Sequence, residues 1–199
     1  MGLQLLALRN QITGPFTFDV AAGECLVIQG PSGAGKSVLL RLIADLIPSQ
    51  GSVCLDGVVR ETVPAAIWRK RVALVPAQVG WWCNTVKAHF ALDELDRVRS
   101  LAAQLSLPVD AIERDIVHLS TGERQRFGLV RAMVANPDVF LLDEPTSALD
   151  PQTAIAVERL FREQQERGAI VIWVTHDTAQ ALRVGTRIMH IARGRAVEA

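Results

Sequence analysis

Eight residues constrain this chain more than any other feature: Gly30-Pro31-Ser32-Gly33-Ala34-Gly35-Lys36-Ser37, set between an unbroken apolar run, Cys25–Gln29, and a segment of helical periodicity. They fit the spacing G-x-x-x-x-G-K-[ST]. Glycines at these points let the backbone turn so that successive N–H groups converge on an anion. The helix that follows adds partial positive charge at its N-terminus. In such a loop Lys36 reaches the outer phosphates of a triphosphate, and the Ser37 hydroxyl is placed for a divalent cation. The run, together with Val38, is the candidate binding loop. It requires a strand before it and a helix after it, which commits the chain to an α/β fold.

The rest of the pattern agrees. Short apolar or β-branched runs predict strands over 3–8, 16–20, 25–29, 52–55, 72–75, 139–142, 170–175 and 187–191. Four of them (CLVIQ, VALV, VFLL and IVIWV) are apolar without alternation, the pattern of parallel strands covered on both faces. Helices are predicted over 36–46, 121–135, 151–167 and 178–184. Pro48 and Gly51 end the first, with Leu39, Leu40, Leu42, Ile43, Leu46 and Ile47 on its core face, and Gly168 ends the third. Residues 85–114 read as a separate helical patch.

Composition closes off several classes of function. At 199 residues the chain has room for one domain with a substantial core. No apolar run reaches the ~18 residues of a membrane helix, and the first residues do not read as a signal peptide. Net charge is +0 with no Lys/Arg run, so a nucleic-acid partner is not expected. Cys25, Cys54 and Cys83 lack metal-ligand spacing and read as small residues of a reducing compartment.

Val139-Phe140-Leu141-Leu142-Asp143-Glu144 places two carboxylates at the carboxyl end of a buried strand, the edge where ligands bind in α/β sheets. Asp143 is the candidate cation ligand, directly or through water. Glu144 is placed to orient and deprotonate an attacking water. Further along, Ser120-x-x-Glu123 reads as a capping box at the start of the helix 121–135. Asp150-Pro151 reads as an N-cap with proline at the first helical position.

Leu119-Ser120-Thr121-Gly122-Glu123-Arg124-Gln125-Arg126 resembles the signature motif of ABC ATPases, and the order of motifs resembles that family along nearly the whole chain. Gln78 is similar to its Q-loop, Ser147-Ala148-Leu149-Asp150 to its D-loop and Val174-Thr175-His176-Asp177 to its H-loop. The resemblance implies a P-loop ABC cassette over residues 1–199. It would combine a RecA-like parallel-sheet core, an N-terminal antiparallel β element and a small helical subdomain near 80–135. It further implies ATP and Mg²⁺ as cofactors, with Ser37, Gln78 and Asp143 around the cation. Glu144, His176 and Gln78 would be catalytic. Ser120 and Gly122 would meet the γ-phosphate held by a second copy or a homologous cassette, in a head-to-tail dimer with two ATPs between. In transporters of this family the region after the Q-loop receives a coupling helix from an integral membrane permease. Trp81-Trp82 would then anchor that partner, the alternative being that one tryptophan packs under the helical patch and the other is partly exposed. The implied location is the cytoplasmic face of the inner membrane.

The sequence also departs from the family. There is no Tyr to stack on adenine, and Phe16 and the plane of Arg9 are the remaining candidates. Thr121, Glu123 and Val38 replace the family's usual Gly, Gln and Thr, which predicts an active but slow ATPase. Residues 79–119 are too few for the long coiled-coil insert of chromosome-organising relatives. The compact form looks most like small export-type subunits, including those linked to iron or metal tolerance. Two other classes stay open: a soluble ABC ATPase serving iron–sulfur assembly, and a monomeric P-loop kinase.

Overall fold

The computed structural model describes residues 2–197. In chain order the strands are β1 (Gly2–Arg9), β2 (Phe16–Ala21), β3 (Cys25–Gln29), β4 (Gln50–Leu55), β5 (Val58–Val59), β6 (Val72–Val75), β7 (Val139–Asp143), β8 (Ile170–Val174), β9 (Arg187–Ala192) and β10 (Arg195–Val197). The helices are α1 (Lys36–Ile43), α2 (Ala65–Arg71), α3 (Leu95–Gln104), α4 (Thr121–Ala135), α5 (Pro151–Glu166) and α6 (Thr178–Val184). One sheet has the order β10-β9-β3-β8-β7-β6, parallel except for the β9–β10 hairpin. The other, β2-β1-β4-β5, is antiparallel.

The central parallel strands β3, β7 and β8 are buried at every position because both faces are covered. On β3, Cys25 and Val27 face one core with Phe127, Phe140, Phe161 and Trp173. Leu26 and Ile28 face the other, with Leu3, Phe16, Leu40 and Leu141. The first core is roofed by the helices α3 to α6, the second by α1 and the antiparallel sheet. Each large apolar side chain so buried stabilises the fold by about 1.5–3 kcal/mol.

Four expectations need correction. The run VALV is β6, the sheet edge, so Ala73 and Leu74 remain half-exposed rather than covered on both faces. The first helix ends at Ile43, not Leu46, because Asp45 takes a left-handed conformation (φ 57) well before Pro48. Leu46 is consequently exposed and not part of the core. The helix α2 and the strands β5 and β10 were not anticipated. Only Trp68 of α2 is buried, and it pins the helix by donating its Nε1–H to Ile43 O at 2.9 Å. Within the helical patch only 95–104 is α-helix, flanked by short 3₁₀ turns.

Candidate functional site

The parallel register brings the ends of β3, β7 and β8 side by side, and the candidate residues sit just beyond them. Two glycines shape the loop after β3. Gly30 has φ 147, and a Cβ there would lie 2.0 Å from Ile191 O on the neighbouring strand. Gly35 has φ 98, and a Cβ would lie 2.6 Å from Thr13 Oγ1. The loop is thereby packed against backbone on one side, while Pro31, Ser32 and Gly33 face solvent. It is braced by contacts remote in sequence: Thr13 Oγ1 donates to Gly194 O at 2.9 Å, Gly14 N donates to the same oxygen at 2.6 Å, and Gly194 N donates to Ala34 O at 3.1 Å. Val38 packs against the second core.

Lys36 is buried, and its ammonium folds onto its own loop, donating to Gly30 O at 2.8 Å and Pro31 O at 2.9 Å. Burial pulls its pKa below the ordinary lysine range, opposed by the nearby charges of Glu144 and Asp143. The Ser37 hydroxyl donates to Asp143 Oδ1 at 3.0 Å. A hydroxyl and a carboxylate oxygen brought together are hard donors of the kind Mg²⁺ takes, with phosphate oxygens and water completing its shell. Among the described residues there is no cluster of three His, Cys, Asp or Glu that could hold a metal without such help.

Glu144 is held in an uncommon backbone conformation, φ 49, with its N–H bonded to Val174 O at 3.1 Å across to β8. Strain of this kind gathers at functional positions. Its Oε1 accepts from His176 Nε2 at 2.7 Å. A hollow of about 540 Å³ opens beside the pair, lined in part by Thr146, Ser147 and Asp177. Behind them lies a network that sequence reasoning missed. The buried Gln180 donates from Nε2 to Thr146 Oγ1 and to Glu158 Oε1, both at 2.9 Å, and accepts from Trp173 Nε1 at 3.2 Å. Arg183 closes on Glu158 at 2.9 and 2.7 Å. Burial raises the pKa of Glu158, but the bonds from Arg183 and Gln180 outweigh it and hold the carboxyl below its usual range. The only sequence signal was that Glu158 and Gln180 fall on the core-facing sides of their helices.

The structure does not bring every candidate together. Gln78 is exposed on the loop after β6, and no hydrogen bond joins it to Ser37, Asp143 or Glu144. Ser120 and Gly122 lie at the N-terminus of α4, where the expected capping box forms: Ser120 Oγ accepts from Glu123 N at 3.2 Å, and Ser120 N donates to Glu123 Oε2 at 2.8 Å. A Cβ on Gly122 would approach Ala148 O at 3.2 Å, so this end packs on the turn before α5, where Asp150 caps as expected. No hydrogen bond connects Ser120 or Gly122 with the Lys36 loop. Phe16 is completely buried, which removes it as a stacking platform, and Arg9 is tied to Gln50 at 3.1 Å.

Trp81 packs against the first core, whereas Trp82 is 71% exposed. The Arg131 guanidinium lies 4.7 and 4.6 Å from their ring centroids. His89 Nε2 accepts from the N–H groups of Trp82 and Cys83, both at 3.2 Å, which fixes the turn.

The family model for ABC transporters matches residues 14–147, from the turn before β2 to the turn after Glu144. This chain belongs to the ABC transporter family. The cassette is 31% identical over 194 residues to the glycine betaine/carnitine/choline transport ATP-binding protein OpuCA of Bacillus subtilis, covering 90% of this chain and 51% of that protein. It is 35% identical over 182 residues to the Escherichia coli protein named "Probable iron export ATP-binding protein FetA", covering 86% of this chain and 81% of that one. This ABC chain thus spans about half the length of the first of these relatives. Among solved structures, one titled "Structure of ATP binding subunit of ABC transporter" superposes with TM-score 0.89 at 25% identity, over 98% of this chain and 88% of that chain. No helix among the described residues is long and apolar enough to cross a membrane.

Proposed function

We propose that this cassette binds and hydrolyses ATP as one half of a head-to-tail nucleotide-sandwich dimer, and that the closing of the dimer drives a separate membrane subunit. The observation that carries the reading is the convergence, at one sheet edge, of the Ser37–Asp143 pair, the Glu144–His176 pair and the Lys36 loop. Each has the chemistry for one task. Residues 30–38 cradle the phosphates with backbone N–H groups, and Lys36 leaves its two carbonyls for the β/γ-phosphates. Ser37 and Asp143, together with Gln78, would hold Mg²⁺, which would supply charge neutralisation on the phosphate oxygens. Glu144 takes a proton from the attacking water as its oxygen bonds the γ-phosphorus and the bridging oxygen leaves with ADP. His176 exchanges its bond to Glu144 for one to the γ-phosphate. Ser120 and Gly122 complete the site from the second copy, since neither is bonded to the Lys36 loop of its own chain.

The chain reads as a single cassette over 1–199 with a helical subdomain near 80–135. Its membrane partner docks at the turn bearing Trp82, an exposed aromatic of the kind that anchors interfaces. Docked there, the cassette works as a peripheral subunit on the cytoplasmic face of the inner membrane. The similarity to FetA, across most of both chains, favours a compact export-type subunit. The test is Glu144→Gln with MgATP. Phosphate release should fall by about 10²–10⁴, while light scattering records an ATP-dependent dimer. A variant that binds ATP and stays monomeric would favour a kinase-like protein and sink the sandwich.

A further inference from the structure

The end of α4 that would meet the second copy's phosphate already carries an anion of its own. Glu123 Oε2 accepts from Ser120 N at 2.8 Å, so the carboxylate lies against the first turn of the helix. The bonds from Ser120, aided by Arg114 and Arg126, hold the Glu123 carboxyl below the usual glutamate range, which leaves it ionised at neutral pH. A helix N-terminus is equivalent to about half a positive charge. One carboxylate more than cancels it. A phosphate approaching Ser120 and Gly122 therefore meets net negative charge unless a cation offsets Glu123.

The two arginines are engaged differently. Arg126 donates to Gly122 O at 3.2 Å, Leu105 O at 2.8 Å and Ser106 O at 3.1 Å. It ties α4 to the end of α3 and, among the described residues, pairs with no carboxylate. Arg114 is the cation that pairs with Glu123, its Nη1 lying 3.7 Å from Oε1. The segment bearing it is anchored on the helical patch, where Ile116 N donates to Asn84 O at 2.7 Å and Thr85 bridges to Asp115. Asp110 draws the same guanidinium the other way: its Oδ2 accepts from Arg114 Nε at 3.0 Å and from Nη2 at 2.7 Å. Arg114 is thus shared between two carboxylates, and the one with no bond to the α4 end holds it more closely.

We propose that Arg114 is a positioning residue for the sandwich: it offsets Glu123 so that the α4 end accepts the phosphate held by the second copy, and Asp110 restrains it. This rests on the proposed function, in that ATP must bring two copies together. The experiment measures, by light scattering at low ionic strength, the MgATP concentration giving half-maximal dimer in the Glu144→Gln protein. Arg114→Ala should raise it by about tenfold, the scale of a unit charge a few ångströms away in surroundings between protein and water. Asp110→Asn should lower it by about threefold, because Arg114 is released toward Glu123. Glu123→Gln keeps a side-chain oxygen for the Ser120 cap and should also lower it by about threefold or more. In that background Arg114→Ala should cost no more than about threefold. In ~1 M salt, where the Debye length is about 3 Å, all of these differences should shrink to within about twofold. Arg114→Ala and Asp110→Asn break the same ion pair, so a merely structural role would move dimerisation in the same direction in both. That result would overturn the inference alone, as would an Arg114→Ala effect that is absent or equally large with and without Glu123→Gln. If Arg114→Ala does not fold, Asp110→Asn and Glu123→Gln decide, and failure of both to lower the MgATP requirement refutes the assignment. If the Glu144→Gln parent forms no dimer with MgATP, the proposed function falls and takes the inference with it.

Discussion

Gln180 supports both halves of the proposed catalytic edge at once, so its removal should be felt in stability and in turnover together. Its amide holds Thr146, two residues after Glu144, and its backbone N–H donates to Asp177, the cap of its helix and the neighbour of His176. Gln180→Ala removes two neutral hydrogen bonds, to Thr146 and Trp173, at about 1 kcal/mol each, and one to the Glu158 carboxylate at about 1.5–3 kcal/mol. Arg183 still satisfies Glu158, which moderates the last loss. The sum is about 3–4 kcal/mol, or a Tm lowered by about 6–15 °C for a chain of this length. Because a misplacement of ~1 Å can cost up to ~10²-fold in rate, kcat should fall by about tenfold or more while ATP affinity changes little. Differential scanning calorimetry and Mg²⁺-dependent phosphate release read the two effects. A Tm within about 3 °C of the parent together with an unchanged kcat would mean that the network does not hold the site.

Two further outcomes follow from the geometry. The bond from Ser120 N, then that to its side chain, lowers the Glu123 pKa, assisted by Arg114 and Arg126. Its stabilising effect is therefore complete above the unfolded value of about 4.3 and is lost as pH falls through the lowered folded value. Glu123→Ala should lower the Tm by about 2–4 °C at pH 7, for about 1 kcal/mol of cap, and the gap should close in acid; a gap that persists in acid would contradict the assignment. Trp82→Ala should lower the Tm by only about 1–4 °C, for one exposed cation–π contact with Arg131, yet weaken capture of the proposed membrane subunit by about thirtyfold, for about 2 kcal/mol of anchor. Full retention of binding would remove Trp82 from the interface.

What was legible in the sequence was local. The Ser120–Glu123 and Asp150 caps are set by spacings of two and three residues, and both formed as the spacing predicts. The phosphate loop and the pair Asp143-Glu144 were readable because each follows an apolar strand directly. Long-range pairing was not readable. Thr13 meets Gly194, 181 residues away, and neither carries any local mark of bracing the loop. The helix α2 has one buried residue and no apolar stripe, so its periodicity is silent. The edge position of β6 depends on strand order, which no single run encodes. Adjacent tryptophans excluded a common orientation, but only the fold decided that Trp81 packs and Trp82 stands out.

The shared site is tested most directly by mixing two broken copies. In the Glu144→Gln background, Lys36→Ala lacks the cradle and Ser120→Arg blocks the opposing cap. A mixed dimer contains one site with both defects and one with neither. Each variant alone should retain no ATP through gel filtration, and the mixture should retain one ATP per dimer. Retention by the Ser120→Arg variant alone, or none in the mixture, would contradict a nucleotide held between two chains.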